Sequence, residues 1–181
     1  MSDTESVVVR HLTAADELEL LRPLWLALHQ HHREVQPSLP LQPDDDVSWR
    51  ARSETYRRWL EHDAAVILVA ETEGAVVGYA VAHLETGADD DTFAFGAQYA
   101  ELYTMSVLPG SRRRRVGSHL LDAMDEALRE RSIEIVTVAA MAGNDRALDF
   151  YRRRGFEPLE MTFHRRVPDS DSQPRVTSRI E

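Results

Sequence analysis

A chain of 181 residues, 43% of them apolar, is long enough for one domain with a sizeable core, and its lack of cysteine excludes disulfides, thiolate metal sites and a cysteine nucleophile. The net charge of −10 argues against non-specific binding to nucleic acid or to an anionic membrane surface, and no segment approaches the ~20 apolar residues of a membrane span. The first residues carry neither a basic region nor an apolar run, so the expectation is a soluble, cytoplasmic protein. The arginines gather at 112–115 and 152–154, which suggests an anionic ligand on an acidic body.

Residues 6–12 (SVVVRHL) are short and β-branched, a first strand. Thr13 then stands as an N-cap with Asp16 in the capping-box position, and Leu18, Leu21, Trp25 and Leu28 recur at helical spacing. Residues 29–46, with three prolines and the run Asp44-Asp45-Asp46, read as an irregular loop. His29 and His32, three apart at a helical end, raise the question of a metal. No supporting carboxylate or histidine spacing accompanies them, so the expectation is a substrate-facing or solvated helix end and no metal.

A second helix is expected over residues 47–62, with Trp49, Tyr56, Trp59 and Leu60 buried. Two apolar runs, 64–71 (AAVILVAE) and 75–84 (AVVGYAVAHL), form an antiparallel hairpin, and Gly78 marks a bulge or a close backbone approach. Residues 85–98 form a polar loop that could act as a substrate lid or simply be solvated. Residues 99–107 (YAELYTMSV) make the next strand; a helix follows over 116–131, and a strand over 133–139 returns parallel to it. A crevice is expected where the two parallel strands end.

Four arginines before that helix oppose its macrodipole, each by roughly 0.3–1 kcal/mol, unless an anion sits on the free N–H groups of its first turn. A further short helix begins at Asn144 and ends at Gly155 in the left-handed position, with Phe156 supplying the apolar contact. Residues 161–167 (MTFHRRV) are expected to close the sheet as a last strand, which makes 1–167 one domain and 168–181 a mobile tail.

Two motifs flank the crossover. The first is Val107-x-Pro109-x-x-Arg112-x-x-Arg115-x-Gly117; the second is Asn144-x-x-Ala147-x-x-Phe150-Tyr151-x-x-x-Gly155-Phe156. Together they resemble the acetyl-CoA motif and the following helix motif of the GNAT superfamily of N-acetyltransferases, over about residues 99–167. The resemblance implies an α/β fold: a mixed, mostly antiparallel sheet of six to seven strands with a splayed parallel pair in its middle and about four helices. It implies acetyl-CoA as co-substrate, with its pyrophosphate held by Arg112, Arg113, Arg115, Val116, Gly117 and Ser118. Its amide arm would run beside Met105 and Val107 and near Asn144. By the same resemblance the Met105 N–H polarises the thioester carbonyl. Tyr151 stands where family members keep the general acid, and Glu101 where some carry the base. Tyr103 should share the face of Glu101 and line the acceptor pocket.

Each role has a plainer alternative. Tyr151 could be a packed helix aromatic, and Glu101 a surface strand carboxylate or an amine-orienting group. The function implied is acetyl transfer to a primary amine of a small molecule, peptide or protein, with acidic residues weakly favouring a cationic acceptor. The alternative is an acyl-CoA-binding module without turnover. One short basic patch in an acidic chain makes nucleic-acid binding the weakest reading. Homodimers are common among proteins of this resemblance, and the assembly of this chain is left open. Arg115 departs from the pattern by replacing the first glycine, at a position where a Cβ disfavours a left-handed turn.

Overall fold

The sheet grows outward from a hairpin whose strands are buried almost throughout. In this computed structural model, which describes residues 6–37, 44–165 and 167, β1 (Val8–His11) and β2 (Ala65–Thr72) pair antiparallel. β2 also pairs antiparallel with β3 (Ala75–Thr86) through a two-residue turn in which Glu73 and Gly74 have φ of 51° and 77°. Two consecutive left-handed residues match the twist of a hairpin, which explains glycine at the second. β4 (Gln98–Val107) continues the antiparallel order beside β3, and β5 (Val136–Thr137) lies parallel to β4. The order is therefore β1-β2-β3-β4-β5.

The chain forms two compact units, Met1–Asp145 and Arg146–Glu181, and the whole sheet belongs to the first. On one face a 3-10 helix (Ala15–Leu21), α1 (Arg22–Val35) and α2 (Asp45–Glu61) bury Leu18, Leu21, Leu24, Trp25, Trp49 and Tyr56 against Ile67, Val69, Tyr79 and Val81. On the other face α3 (Val116–Glu130) lies on β2, β3 and β4 and buries the stripe Val116, Leu120, Leu121, Met124, Ala127 and Leu128. In the second unit α4 (Asp145–Arg153) supplies most of the regular structure.

Several expectations are corrected. The described residues contain five strands instead of six or seven, and the parallel pair lies at the edge of that sheet. Residues 161–165 take no strand conformation, and Met161 and Phe163 are 80% and 83% exposed. Their alternation specifies one face, but a strand persists only as a member of a ladder, and among the described residues no strand pairs with this run. The strand expected over 133–139 shortens to Val136–Thr137. The supposed cap at Thr13 is absent, because the first turn is 3-10 and starts after Ala14 without a side-chain cap bond. The loop read over 29–46 is largely helical: α1 runs on to Val35, and Asp44 caps α2 by accepting a 2.8 Å bond from the Val47 N–H. Residues 38–43, 166 and 168–181 lie outside the described set, so the tail call falls there.

Gly78 serves both roles the sequence left open. The β2–β3 register shifts between Ala70 and Glu71, next to Gly78, and a Cβ at Gly78 would stand 2.9 Å from Val116 Cγ1 and 3.2 Å from both Leu120 Cδ1 and the Ser106 carbonyl oxygen. The missing side chain lets the start of α3 sit directly on the sheet. Gly78→Ala should therefore destabilise the chain by about 1–3 kcal/mol through overpacking. Chemical denaturation with unchanged far-ultraviolet dichroism in the native baseline would measure it; equal stability would show that α3 yields at no cost.

Candidate active site

The site is assembled on the outer edge of β4. β5 pairs with β4 only at Ala100↔Val136 and Glu101↔Thr137, and beyond Glu101 no described strand covers that edge. Immediately after it the β3–β4 register shifts between Val81 and Ala82, leaving Tyr103 as an extra residue between Leu102 and Thr104. A bulge increases local twist and turns the strand away from its neighbour. Leu108 donates its N–H to the Val77 carbonyl at 2.9 Å, so by alternation the N–H groups of Met105 and Val107 face away from β3, toward the open edge.

The strand leads into a 3-10 helix, Pro109–Arg114, and then into α3. Arg115 joins them with φ 56° and ψ 21°, in the left-handed region that its Cβ disfavours. The turn that a glycine would adopt freely is thus kept with an arginine in it. Its carbonyl accepts the first bond of α3, from His119 at 3.0 Å. The N–H groups of Val116, Gly117 and Ser118 precede that first bond and form the positive end of the helix, just past the open strand edge. The backbone of Arg112 and Arg113 lies in the 3-10 helix, Arg115 is exposed, and Val116 is buried.

Glu101 and Tyr103 stand on the face covered by α1 and α2. Glu101 pairs with His83, whose ring stacks on Trp59 at 4.0 Å, and Trp59 meets Tyr103 edge-on at 4.9 Å. Thr104 Oγ1 accepts the Tyr56 hydroxyl at 2.7 Å, and Ser106 Oγ donates to the Leu24 carbonyl at 2.9 Å, which pins β4 to both helices. The Arg52 guanidinium lies 4.5 Å over Trp25 and 4.5 Å over Tyr103. His29 is buried, stacks on Trp25 at 5.6 Å and lies 3.1 Å from Asp45, which Arg33 also engages. His29 is therefore spent on packing α1 to α2. Burial, reinforced by the charges of His31, His29 and Arg52, pushes His32 down to about 4, so it is neutral at pH 7.

In the second unit α4 closes with a complete C-terminal motif. Phe156 donates to the Tyr151 carbonyl at 3.0 Å, Gly155 to the Arg152 carbonyl at 3.1 Å, and Gly155 has φ 87°. The Tyr151 ring packs against Phe156 at 5.4 Å and Phe150 at 5.5 Å, and burial pushes its phenol up to about 12. Asn144 stands just before α4, its N–H bonded to the Met141 carbonyl at 2.9 Å.

Sequence reasoning missed Arg52. It occupies the spacing Trp49-Arg52-Tyr56-Trp59, a cation inside an otherwise aromatic helical stripe, which was the available signal. A surface cavity of about 370 Å³ between Asp125, Leu128, Ile133 and Val136 lies at the far end of α3 from residues 116–118, roughly 20 Å away by helix rise. It belongs to the wrong end of the parallel strands for a ligand of this architecture.

A mixed sheet with a splayed parallel pair, leading through a left-handed turn into a helix N-terminus, is the acetyltransferase type of α/β fold. The profile of the acetyltransferase (GNAT) family matches residues 25–156, and the chain belongs to that family. Mycothiol acetyltransferase of Propionibacterium freudenreichii is 34% identical over 107 residues, 59% of this chain and 31% of that protein. The matches span only 31% to 63% of the length of the curated relatives. The fold is shared with a tetramutant of the BH1408 protein from Bacillus halodurans, at TM-score 0.73, 15% identity, 88% of this chain and 99% of that one. It is shared too with the aminoglycoside N-acetyltransferase AAC(6')-Iy in complex with CoA, at TM-score 0.64, 20% identity, 90% of this chain and 95% of that one. Among the described residues no helix is long and apolar enough to cross a membrane.

Two outcomes test this geometry. Replacing Arg115 by glycine relieves the left-handed strain and should stabilise the chain by up to about 1 kcal/mol in a denaturation experiment. For His32, whose folded value is depressed, the stabilising contribution is present above its unfolded value near 6.5 and is lost as pH falls toward 4, because the unfolded chain takes the proton first. Thermal midpoints should drop across that window, and His32→Gln should flatten the drop; an unchanged slope would remove His32 from the acid transition.

Proposed function

We propose that the chain is a cytoplasmic N-acetyltransferase that moves an acetyl group from acetyl-CoA to a primary amine in a ternary complex. The observation that carries this reading is the edge of β4, which no described strand covers beyond Glu101, running into the N-terminus of α3 in a chain of the acetyltransferase family. The edge offers the outward N–H of Met105 to an extended amide arm, as an added strand would use it, with Val107 further along the same strand. The N–H groups of Val116, Gly117 and Ser118, with the charges of Arg112, Arg113 and Arg115, suit a pyrophosphate. Asn144, before α4, would meet the amide arm.

Bound acetyl-CoA would supply an activated acyl carbon and a thiolate leaving group. The Met105 N–H would stabilise the negative charge that develops on the acyl oxygen as the amine nitrogen adds. Glu101, directly or through water, would take the proton that the ammonium must lose, and Tyr151 would give one to the departing sulfur. A phenol held near 12 stays protonated throughout the physiological range, which fits a proton donor and not a base. Tyr103, edge-on to Trp59 of α2, would line the acceptor pocket. The fit of this chain's residues to a CoA-type ligand also serves the alternative, a binding module without turnover.

Thiol release from acetyl-CoA across an amine panel separates the two. The expected result is turnover that Tyr151→Phe lowers about 10–100-fold in kcat with acetyl-CoA affinity unchanged. Binding of acetyl-CoA with no release on any amine would select the binding-module reading.

A further inference from the structure

Three buried side-chain polar atoms with no close hydrogen-bond partner in the geometry of the described residues gather in one place. They are Trp25 Nε1, Arg52 Nη1 and the Tyr79 hydroxyl, all within the cluster of aromatic rings that α1 and α2 hold against β3 and β4. Arg52 sits over Trp25 and Tyr103, both 4.5 Å from its guanidinium carbon, and no described carboxylate forms an ion pair with it. The nearby acid Asp45 is taken by Arg33 and His29. Cation–π contacts compensate a guanidinium in part, but they accept no N–H. The Tyr56 hydroxyl offers Tyr79 and Arg52 a neutral oxygen, but a buried guanidinium with no described carboxylate beside it calls for an anionic acceptor.

The other end of the same strand has the opposite character. Glu85 pairs with Tyr99 and Glu101 with His83 across β3 and β4, so two carboxylates flank the start of β4, and besides burial the charges of Glu85, Asp91 and Glu101 raise the Tyr99 phenol. Glu101 and Tyr103 are two residues apart, about 7 Å or less along the strand. The acceptor face thus runs from negative at Tyr99 and Glu101 to positive at Arg52 within the span of a small molecule. A polyamine would meet Arg52 with a like charge.

We propose that the acceptor is a small amino-carboxylate, an amino acid in zwitterionic form, whose carboxylate is bound by Arg52 in its seat between Trp25 and Tyr103 while its amine lies toward Glu101. This inference rests on the acetyl-transfer reading for its chemistry. The step it assigns is amide formation: the ammonium loses one proton to Glu101, the amine nitrogen bonds to the acyl carbon, the C–S bond breaks, the sulfur leaves with a proton from Tyr151, and the second proton lost by the nitrogen restores the phenol, so one proton is released overall. Arg52 takes no part in bond making; it fixes which amines are held.

The test measures thiol release by the full chain with acetyl-CoA on amino acids, each paired with its carboxamide, together with spermidine and ethanolamine phosphate. The expected result is a KM for amino acids lower than for the paired carboxamides by about tenfold or more. Arg52→Gln should erase that ratio, chiefly by raising the KM of the amino acids, with the acetyl-CoA affinity unchanged. Should the glutamine variant not fold, Arg52→Lys is read in its place, and its ratio should fall about threefold or more because a point charge replaces the planar fork. Equal use of acids and carboxamides, preference for spermidine or ethanolamine phosphate, or a ratio that survives in the folded variant overturns the proposal. If no amine is acetylated, the acetyl-transfer reading falls. Calorimetric titration of the acetyl-CoA-saturated chain then decides Arg52: amino-acid binding that Arg52→Gln abolishes supports the carboxylate site, and no binding overturns it.

Discussion

Everything in the first unit depends on where the pairing of β4 and β5 stops. Two parallel contacts, at Ala100 and Glu101, hold the strands together, and the bulge at Tyr103 follows at once. Had the ladder continued along β4, the outward N–H of Met105 would be spent on β5. A sheet edge that no strand covers invites pairing with an extended chain, and in the proposed reading the amide arm of the cofactor takes that place. The strand is kept in place by its buried hydroxyls instead. Tyr56 donates to Thr104 and Ser106 to Leu24, which ties the exposed edge to the α1/α2 layer behind it.

The two faces of the sheet divide the labour. The α3 face is closed by shape, with Gly78 giving way to Val116 and Leu120, so the start of α3 is fixed relative to the strand end. Arg115 adds to that fixity by holding a left-handed turn at a cost of roughly 1–2 kcal/mol, offset by the burial of Val116 next to it. The α1/α2 face is instead aromatic and charged. Its cation is stacked, with no ion pair among the described residues, and Glu85 and Glu101 flank the start of β4. In the proposed reading the first face presents the cofactor and the second selects the amine.

Much of this was legible from residue order. The hairpin, β4, α3 and α4 stand where periodicity put them, since each carries a full apolar stripe bounded by Gly, Pro or Asn. The C-terminal motif of α4 followed from Gly155 and Phe156 alone, because its bonds are local. The errors share a cause. Residues 133–139 and 161–167 have strand-like sequences, but strand extent is decided by a partner elsewhere in the chain. The extension of α1 through His29 and His32 was hidden by their polarity, although burial against α2 outweighs it.

The sequence by itself determined the family, the motif that opens α3, and the residue types available for acid, base and phosphate contact, because those are carried by local spacing. Only the tertiary structure decided that Arg115 holds its left-handed turn, that β4 keeps an open edge, and that Arg52 is clasped by Trp25 and Tyr103. These three belong to contacts between residues distant along the chain, and no periodicity within one segment reports what another segment will press against it.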